Sequence, residues 1–104
     1  MNIHEIQSAI SASPRAITVL YFASARTTID ISYERIPLPE AGLPLKELPK
    51  LLEERHAGKG LGKVLERCRW SVNDEMVEHI GEGEDEVVLR GGEEVAVIPP
   101  VSGG

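Results

Sequence analysis

Two short apolar runs near opposite ends of the chain constrain the fold more than anything else. They are Ile17-Thr18-Val19-Leu20-Tyr21-Phe22-Ala23 and Val95-Ala96-Val97-Ile98. Both place apolar residues on both parities, the pattern of a strand covered on its two faces. A chain of 104 residues has room for a single core. Both runs are therefore expected at the centre of one sheet, either as parallel neighbours or separated by another strand. The second run stops at Pro99-Pro100. Proline donates no ladder hydrogen bond and favours polyproline II geometry, so the chain is expected to leave the sheet there as a stiff stalk.

Between these runs, Ile29-Asp30-Ile31-Ser32-Tyr33-Glu34 alternates cleanly and predicts a strand with one wet face. Leu45, Leu48, Leu51 and Leu52 recur at helical spacing, with Pro49 acceptable only in the first turn. Gly58 and Gly60 stop that helix, and Val64-Leu65 predicts one further short turn. Cys68, Trp70 and Val72 share an inward parity, Arg67, Arg69 and Ser71 an outward one. Asn73-Asp74 is a turn from which Met76-Val77 returns as a hairpin. Gly81 to Asp85 reads as a Gly/acid loop, Glu86 to Leu89 as a short strand and Gly91-Gly92 as a turn. The order strand, strand, helix, several strands predicts an open α+β domain with the helix packed on the sheet. Ile3, Ile6 and Ile10 sit at helical spacing, but terminal segments with few apolar anchors fray. The expected organisation is a flexible leader at 1–14, a domain at 15–98 and an extended tail at 99–104.

Composition removes several function classes. Seventeen acidic against eleven basic side chains give a formal net charge of −6. That disfavours nucleic acid and anionic lipid as partners, both of which require clustered Lys and Arg. The single cysteine, Cys68, excludes a disulfide framework and a cysteine zinc cage. Its inward parity predicts an inert buried thiol. No apolar run approaches the roughly 20 residues of a bilayer span, and Met1 to Pro14 lacks the features of a secretory signal. The cytosol is the expected compartment. His4, His56 and His79 have no metal-ligand spacing and read as isolated surface histidines. The Gly81 to Asp85 stretch lacks the periodicity of a calcium loop. Gly58 to Lys63 lacks the Walker spacing of a phosphate loop. No metal and no stably bound cofactor is expected.

The informative segment is Pro99-Pro100-Val101-Ser102-Gly103-Gly104. Glycine has no Cβ, so Gly103 and Gly104 can pass a channel too narrow for any side chain. A carboxylate on Gly104 would be sterically unprotected. Conversion to an acyl-adenylate by an ATP-dependent partner would let a sulfur nucleophile displace AMP and leave a thiocarboxylate. A carrier of this kind needs no catalytic residue of its own.

The stretch Val95 to Gly104 resembles the C-terminus of the sulfur-carrier small subunits of molybdopterin synthase, which end in a strand followed by Pro-Pro-Val-(Ser/Thr)-Gly-Gly. Val19-Leu20-Tyr21-Phe22-Ala23-Ser24-Ala25-Arg26 is similar to that family's opening strand and turn, and Ser71-Val72-Asn73-Asp74-Glu75 to its mid-chain strand and turn. The resemblance implies a β-grasp, ubiquitin-like fold with the first and last strands parallel at the sheet centre. It implies that a ubiquitin-activating-type adenylyltransferase, with a sulfurtransferase step, loads Gly104. The tail, residues Pro99 to Gly104, then enters the large catalytic subunit, where sulfur passes to cyclic pyranopterin monophosphate. A heterotetramer with two copies of each subunit is implied as well. The leader and the acidic segment from Glu78 to Glu86 depart from the family pattern. Alternatives are a sulfur carrier for tRNA thiolation or thiamine synthesis, whose families generally lack Pro-Pro-Val, and an interaction module with an idle tail.

Overall fold

The two apolar runs become neighbouring parallel strands. In the computed structural model, which describes residues 15–78, 80 and 86–100, β1 (Ala16–Tyr21) lies against β7 (Glu94–Ile98) with Val19 opposite Val95 and Tyr21 opposite Val97. β2 (Tyr33–Pro37) pairs antiparallel with the outer side of β1. β4 (Arg69–Val72) pairs antiparallel with the other side of β7, and β5 (Glu75–Val77) returns from it as a hairpin. The sheet order is β2-β1-β7-β4-β5, with β7 in the middle. A small second ladder joins β3 (Leu43–Pro44) to β6 (Val88–Leu89).

The helices lie over one face of this sheet. α1 (Ala23–Ile29) follows β1 directly, a 3₁₀ turn at Leu45–Glu47 leads into α2 (Leu48–Arg55), and α3 (Leu61–Leu65) precedes β4. Leu48 and Leu52, one helical turn apart, are fully buried, and Pro49 stands in the first turn where its missing N–H costs nothing. These leucines meet Ile17, Val19, Tyr21, Ile36, Val95, Val97 and Trp70 in one core. Gly60 takes a left-handed φ of 78° at the start of α3.

Three expectations change. Ile29 to Glu34 is not a strand: Ile29 is the buried last residue of α1, and Asp30 closes that helix in the left-handed region at φ 59°. β2 begins only at Tyr33, and its inward residue is Ile36, opposite Ile17. The alternating apolar residues belong to two elements, one period ending where another begins. β1 is also not covered equally on both faces. Ile17, Val19 and Tyr21 are buried, whereas Thr18 and Leu20 are half-buried, on the side that no helix among the described residues crosses. Ser71, assigned outward, is buried on that same side, a small residue enclosed beside Ala96 and Met76.

The β4–β5 turn is built as its residues require. Asn73 and Asp74 both have positive φ, 49° and 69°, the form of a tight hairpin turn. Asn73 also reaches β7: its N–H donates to the Glu94 carbonyl at 2.9 Å, and its Oδ1 accepts from the Glu94 N–H at 3.0 Å. The His4 and His79 assignments, the leader at 1–14 and the Gly81 to Asp85 loop lie outside the described residues. Among the described residues no helix is long and apolar enough to cross a membrane.

Gly42 and Gly92 have nearly equal φ, 89° and 87°, but different surroundings. A Cβ on Gly42 would lie 2.9 Å from the Leu89 carbonyl oxygen, whereas one on Gly92 would meet nothing within 4 Å. Gly92→Ala is expected to lower stability by about 1–2 kcal/mol, the strain of a left-handed alanine. Gly42→Ala should lower it further by prising β3 from β6, as urea denaturation of both variants will show.

Candidate functional site

The site is organised around the end of β7. Pro99 is buried and Pro100 exposed, so the segment crosses from core to solvent within two residues. Ile98 pairs with Arg69 on one side, and the Phe22 N–H donates to the Val97 carbonyl on the other at 3.3 Å. Pro99 and Pro100 therefore stand where the chain leaves the centre of the sheet. Val101, Ser102, Gly103 and Gly104, predicted as the rest of the tail, lie outside the described residues.

Beside that exit lies the sheet face that no helix among the described residues covers. Strand alternation places Tyr33, Leu20, Ala96, Ser71 and Met76 in one row across it. Phe22 and Ile98 continue it towards the tail. Phe22 is 47 %, Tyr33 66 % and Met76 46 % exposed, large hydrophobics left to solvent among the described residues. Apolar side chains exposed in a row beside a strand end are the kind of feature that marks an association surface. The sequence reading missed Phe22 and Met76 in this role. The signal was the apolar residue on the second parity of β1, which calls for a cover that no helix among the described residues supplies.

On the opposite, helix-covered face, a polar cluster closes the end of β1. The Tyr21 hydroxyl donates to Glu34 Oε2 at 2.5 Å, Arg55 Nε donates to Glu34 Oε1 at 2.7 Å, and His56 Nε2 lies 2.6 Å from Glu34 Oε2. The Tyr21 and His56 rings meet edge to face with centroids 6.2 Å apart. His56 is thus not an isolated surface histidine: the end of α2 delivers it to a carboxylate from β2, a contact that local sequence does not reveal. Burial pushes the Tyr21 phenol well up, reinforced by the Glu34 carboxylate, so it remains a donor. Burial alone would raise Glu34, but the hydrogen bonds from Tyr21, His56 and Arg55 outweigh it and hold the carboxyl below its ordinary value.

Cys68 stands half-buried on the wall of a groove of about 710 Å³ that also contains Trp70 and Val77. Its Sγ donates to the Val64 carbonyl at 3.1 Å, and burial pushes the thiol up to about 11. A thiol of that kind is a poor nucleophile at neutral pH. Among the described residues no three His, Cys, Asp or Glu side chains are grouped to hold a metal ion.

Two outcomes follow from these environments. Because the folded-state Glu34 carboxyl is depressed, its contribution is complete above the ordinary glutamate value of 4.5 and is lost as pH falls through the lower folded value. Thermal midpoints should therefore drop on acidification below about pH 4.5, and less steeply in Glu34→Gln. Cys68 is expected to alkylate with iodoacetamide at pH 7.5 at least about tenfold more slowly than after denaturation, as mass spectrometry over time will show.

Comparison with known proteins agrees with this architecture. The model of the ThiS family matches residues 19–104. A molybdopterin synthase sulfur carrier subunit of Mycosarcoma maydis is 48% identical over 92 residues, covering 86% of this chain and 94% of the relative. The protein of the same description from Homo sapiens is 38% identical over 85% of this chain and 93% of its own. Among solved structures, a putative molybdopterin converting factor subunit 1 from Pyrococcus furiosus superposes with a TM-score of 0.62 at 28% identity, covering 83% of this chain and 98% of that one. The SAMP1 structure from Haloferax volcanii, 20% identical with a TM-score of 0.67, covers 86% of this chain and 99% of its own and shares the fold. The mixed sheet with its helix layer is the α+β β-grasp predicted for it, and the chain belongs to the ThiS family, alongside the molybdopterin synthase sulfur carrier subunits.

Proposed function

We propose that this chain is a sulfur carrier in molybdenum cofactor biosynthesis, acting in the cytosol as the non-catalytic small subunit of molybdopterin synthase, itself a sulfurtransferase. The observation that carries this reading is similarity that spans the domain and runs to residue 104, through Pro99-Pro100-Val101-Ser102-Gly103-Gly104. The relatives' descriptions favour the molybdenum pathway over tRNA thiolation or thiamine synthesis.

In this reading the functional atom is the Gly104 carboxyl carbon. ATP held by a ubiquitin-activating-type partner transfers AMP to the carboxylate and releases pyrophosphate. Hydrosulfide then attacks the acyl carbon, the bond to AMP breaks and the carbonyl keeps the sulfur as a thiocarboxylate. Where the donor is a persulfide, a second thiol breaks its S–S bond, forms a disulfide with the donor and leaves the same thiocarboxylate. The side-chain-free Gly103-Gly104 end is what lets the carbonyl be reached in a narrow channel. In the large catalytic subunit the sulfur passes to cyclic pyranopterin monophosphate, and water restores the carboxylate. The body positions this end through the rigid departure at Pro99, and the open face bearing Phe22, Ile98 and Met76 docks the large subunit. A structure from Helicobacter pylori described as a complex of subunits 1 and 2 of molybdopterin-converting factor, 26% identical with a TM-score of 0.58, supports a large-subunit partner. Assembly as a heterotetramer with two of each subunit belongs to the same proposal.

Incubation with ATP, an activating enzyme and a sulfur donor is expected to exchange one oxygen for sulfur at the C-terminus, read by intact mass. Deleting Gly104 should abolish the exchange and leave the thermal midpoint unchanged. Phe22→Asp and Met76→Asp should each weaken capture by the large subunit by about tenfold or more, the effect of removing an interface anchor. Recovery of unmodified wild type from every such incubation would overturn the reading in favour of an idle tail.

A further inference from the structure

The end of β1 carries side-chain hydrogen bonds in addition to its ladder, and they lie next to the point where β7 ends. In a parallel ladder the two strands exchange bonds at every second residue. The Glu93 carbonyl, just before β7, accepts from the Thr18 N–H of β1 at 3.0 Å, and the Val97 carbonyl of β7 accepts from the Phe22 N–H, just past β1, at 3.3 Å. The residue that would next donate back to β1 is Pro99, which has no N–H. The Phe22–Val97 bond is therefore the last that β1 can contribute before the tail.

Phe22 itself has no buried side chain to hold it, being 47 % exposed on the open face. Its neighbours hold it instead. Tyr21 is 2 % exposed, its hydroxyl is bound to Glu34, and its N–H donates to the Ser32 carbonyl at 2.8 Å. Glu34 is in turn gripped by Arg55 and His56 from the end of α2. On the other side Ala23 takes φ 47°, a left-handed conformation that an alanine keeps only when its surroundings impose it.

We infer that the Tyr21–Glu34–His56–Arg55 cluster is a positioning device for the end of β7, acting through the Phe22–Val97 hydrogen bond to set the direction in which Pro99 and Pro100 leave the sheet. Tyr21 and Glu34 are then positioning residues for sulfur delivery, although neither touches the tail. The link to delivery rests on the sulfur-carrier reading; the link to the hydrogen bond does not.

Tyr21→Phe tests it, since it removes the hydroxyl and keeps the ring. Amide hydrogen exchange compares Phe22 with Thr18 at the far end of the same ladder, and Leu43→Ala, a core truncation in the small β3–β6 ladder, serves as the control. In Tyr21→Phe the Phe22 amide is expected to exchange about tenfold faster with Thr18 unchanged, the factor for losing one hydrogen bond. In Leu43→Ala the two amides should move together. In the assembled synthase, single-turnover sulfur transfer from the thiocarboxylated variant should slow about tenfold at saturating large subunit with affinity unchanged, a split that general destabilisation does not produce. Acceleration of Phe22 and Thr18 in step, no acceleration of Phe22, or a fall in affinity with the transfer rate intact would each overturn the inference. If wild type carries no sulfur, the functional reading fails while the exchange result still decides the structural claim. Should Tyr21→Phe not fold, Arg55→Gln removes only the half-exposed guanidinium and is expected to give the same pattern at smaller amplitude.

Discussion

The structure depends on one pairing, the parallel ladder between β1 and β7. It joins segments from opposite ends of the described chain, so its formation closes a loop that contains nearly all the other elements. The entropy of such a closure is recovered only by burying apolar surface, at roughly 25 cal/mol per Å². Val19, Val95 and Val97 are fully buried and Tyr21 nearly so, which is where that recovery occurs. With β1 on one side and β4 on the other, β7 has no free edge. A peptide leaving its end therefore starts from the most constrained position in the sheet.

The two faces of this sheet are chemically opposite. One carries the helices, the core and a saturated carboxylate held by three donors. The other leaves Phe22, Tyr33 and Met76 to solvent around a centre of small residues, Ser71 and Ala96. Such a division suits a protein that presents one surface and one strand end to larger partners. The remaining candidate chemistry is silenced by its surroundings, as with the Cys68 thiol turned onto the Val64 carbonyl.

Some of this was legible in residue order. The leucine spacing at 45, 48 and 52, the first-turn role of Pro49 and the Asn73-Asp74 hairpin all follow from local rules, because each is decided within a few residues. The helix Ala23–Ile29 was not legible. Its Ala-Ser-Ala-Arg-Thr-Thr stretch has no apolar period of its own, and the isoleucines beyond it mimic an alternating strand. His56 was misread for a related reason: its partner is 22 residues away on a different element, and nothing local marks a side chain whose environment comes from elsewhere.

Sequence alone determined which segments supply the core strands, where the last strand must stop and what chemistry a Pro-Pro-Val-Ser-Gly-Gly stretch without charged side chains admits. These are properties of residue type and order, set by hydrophobicity, a missing N–H and a missing Cβ. Tertiary structure alone decided that β1 and β7 are adjacent and parallel, which face stays open, and that Tyr21, Glu34, Arg55 and His56 share one carboxylate. Those outcomes depend on contacts between residues far apart in the chain, and no local preference encodes which distant partner will be met.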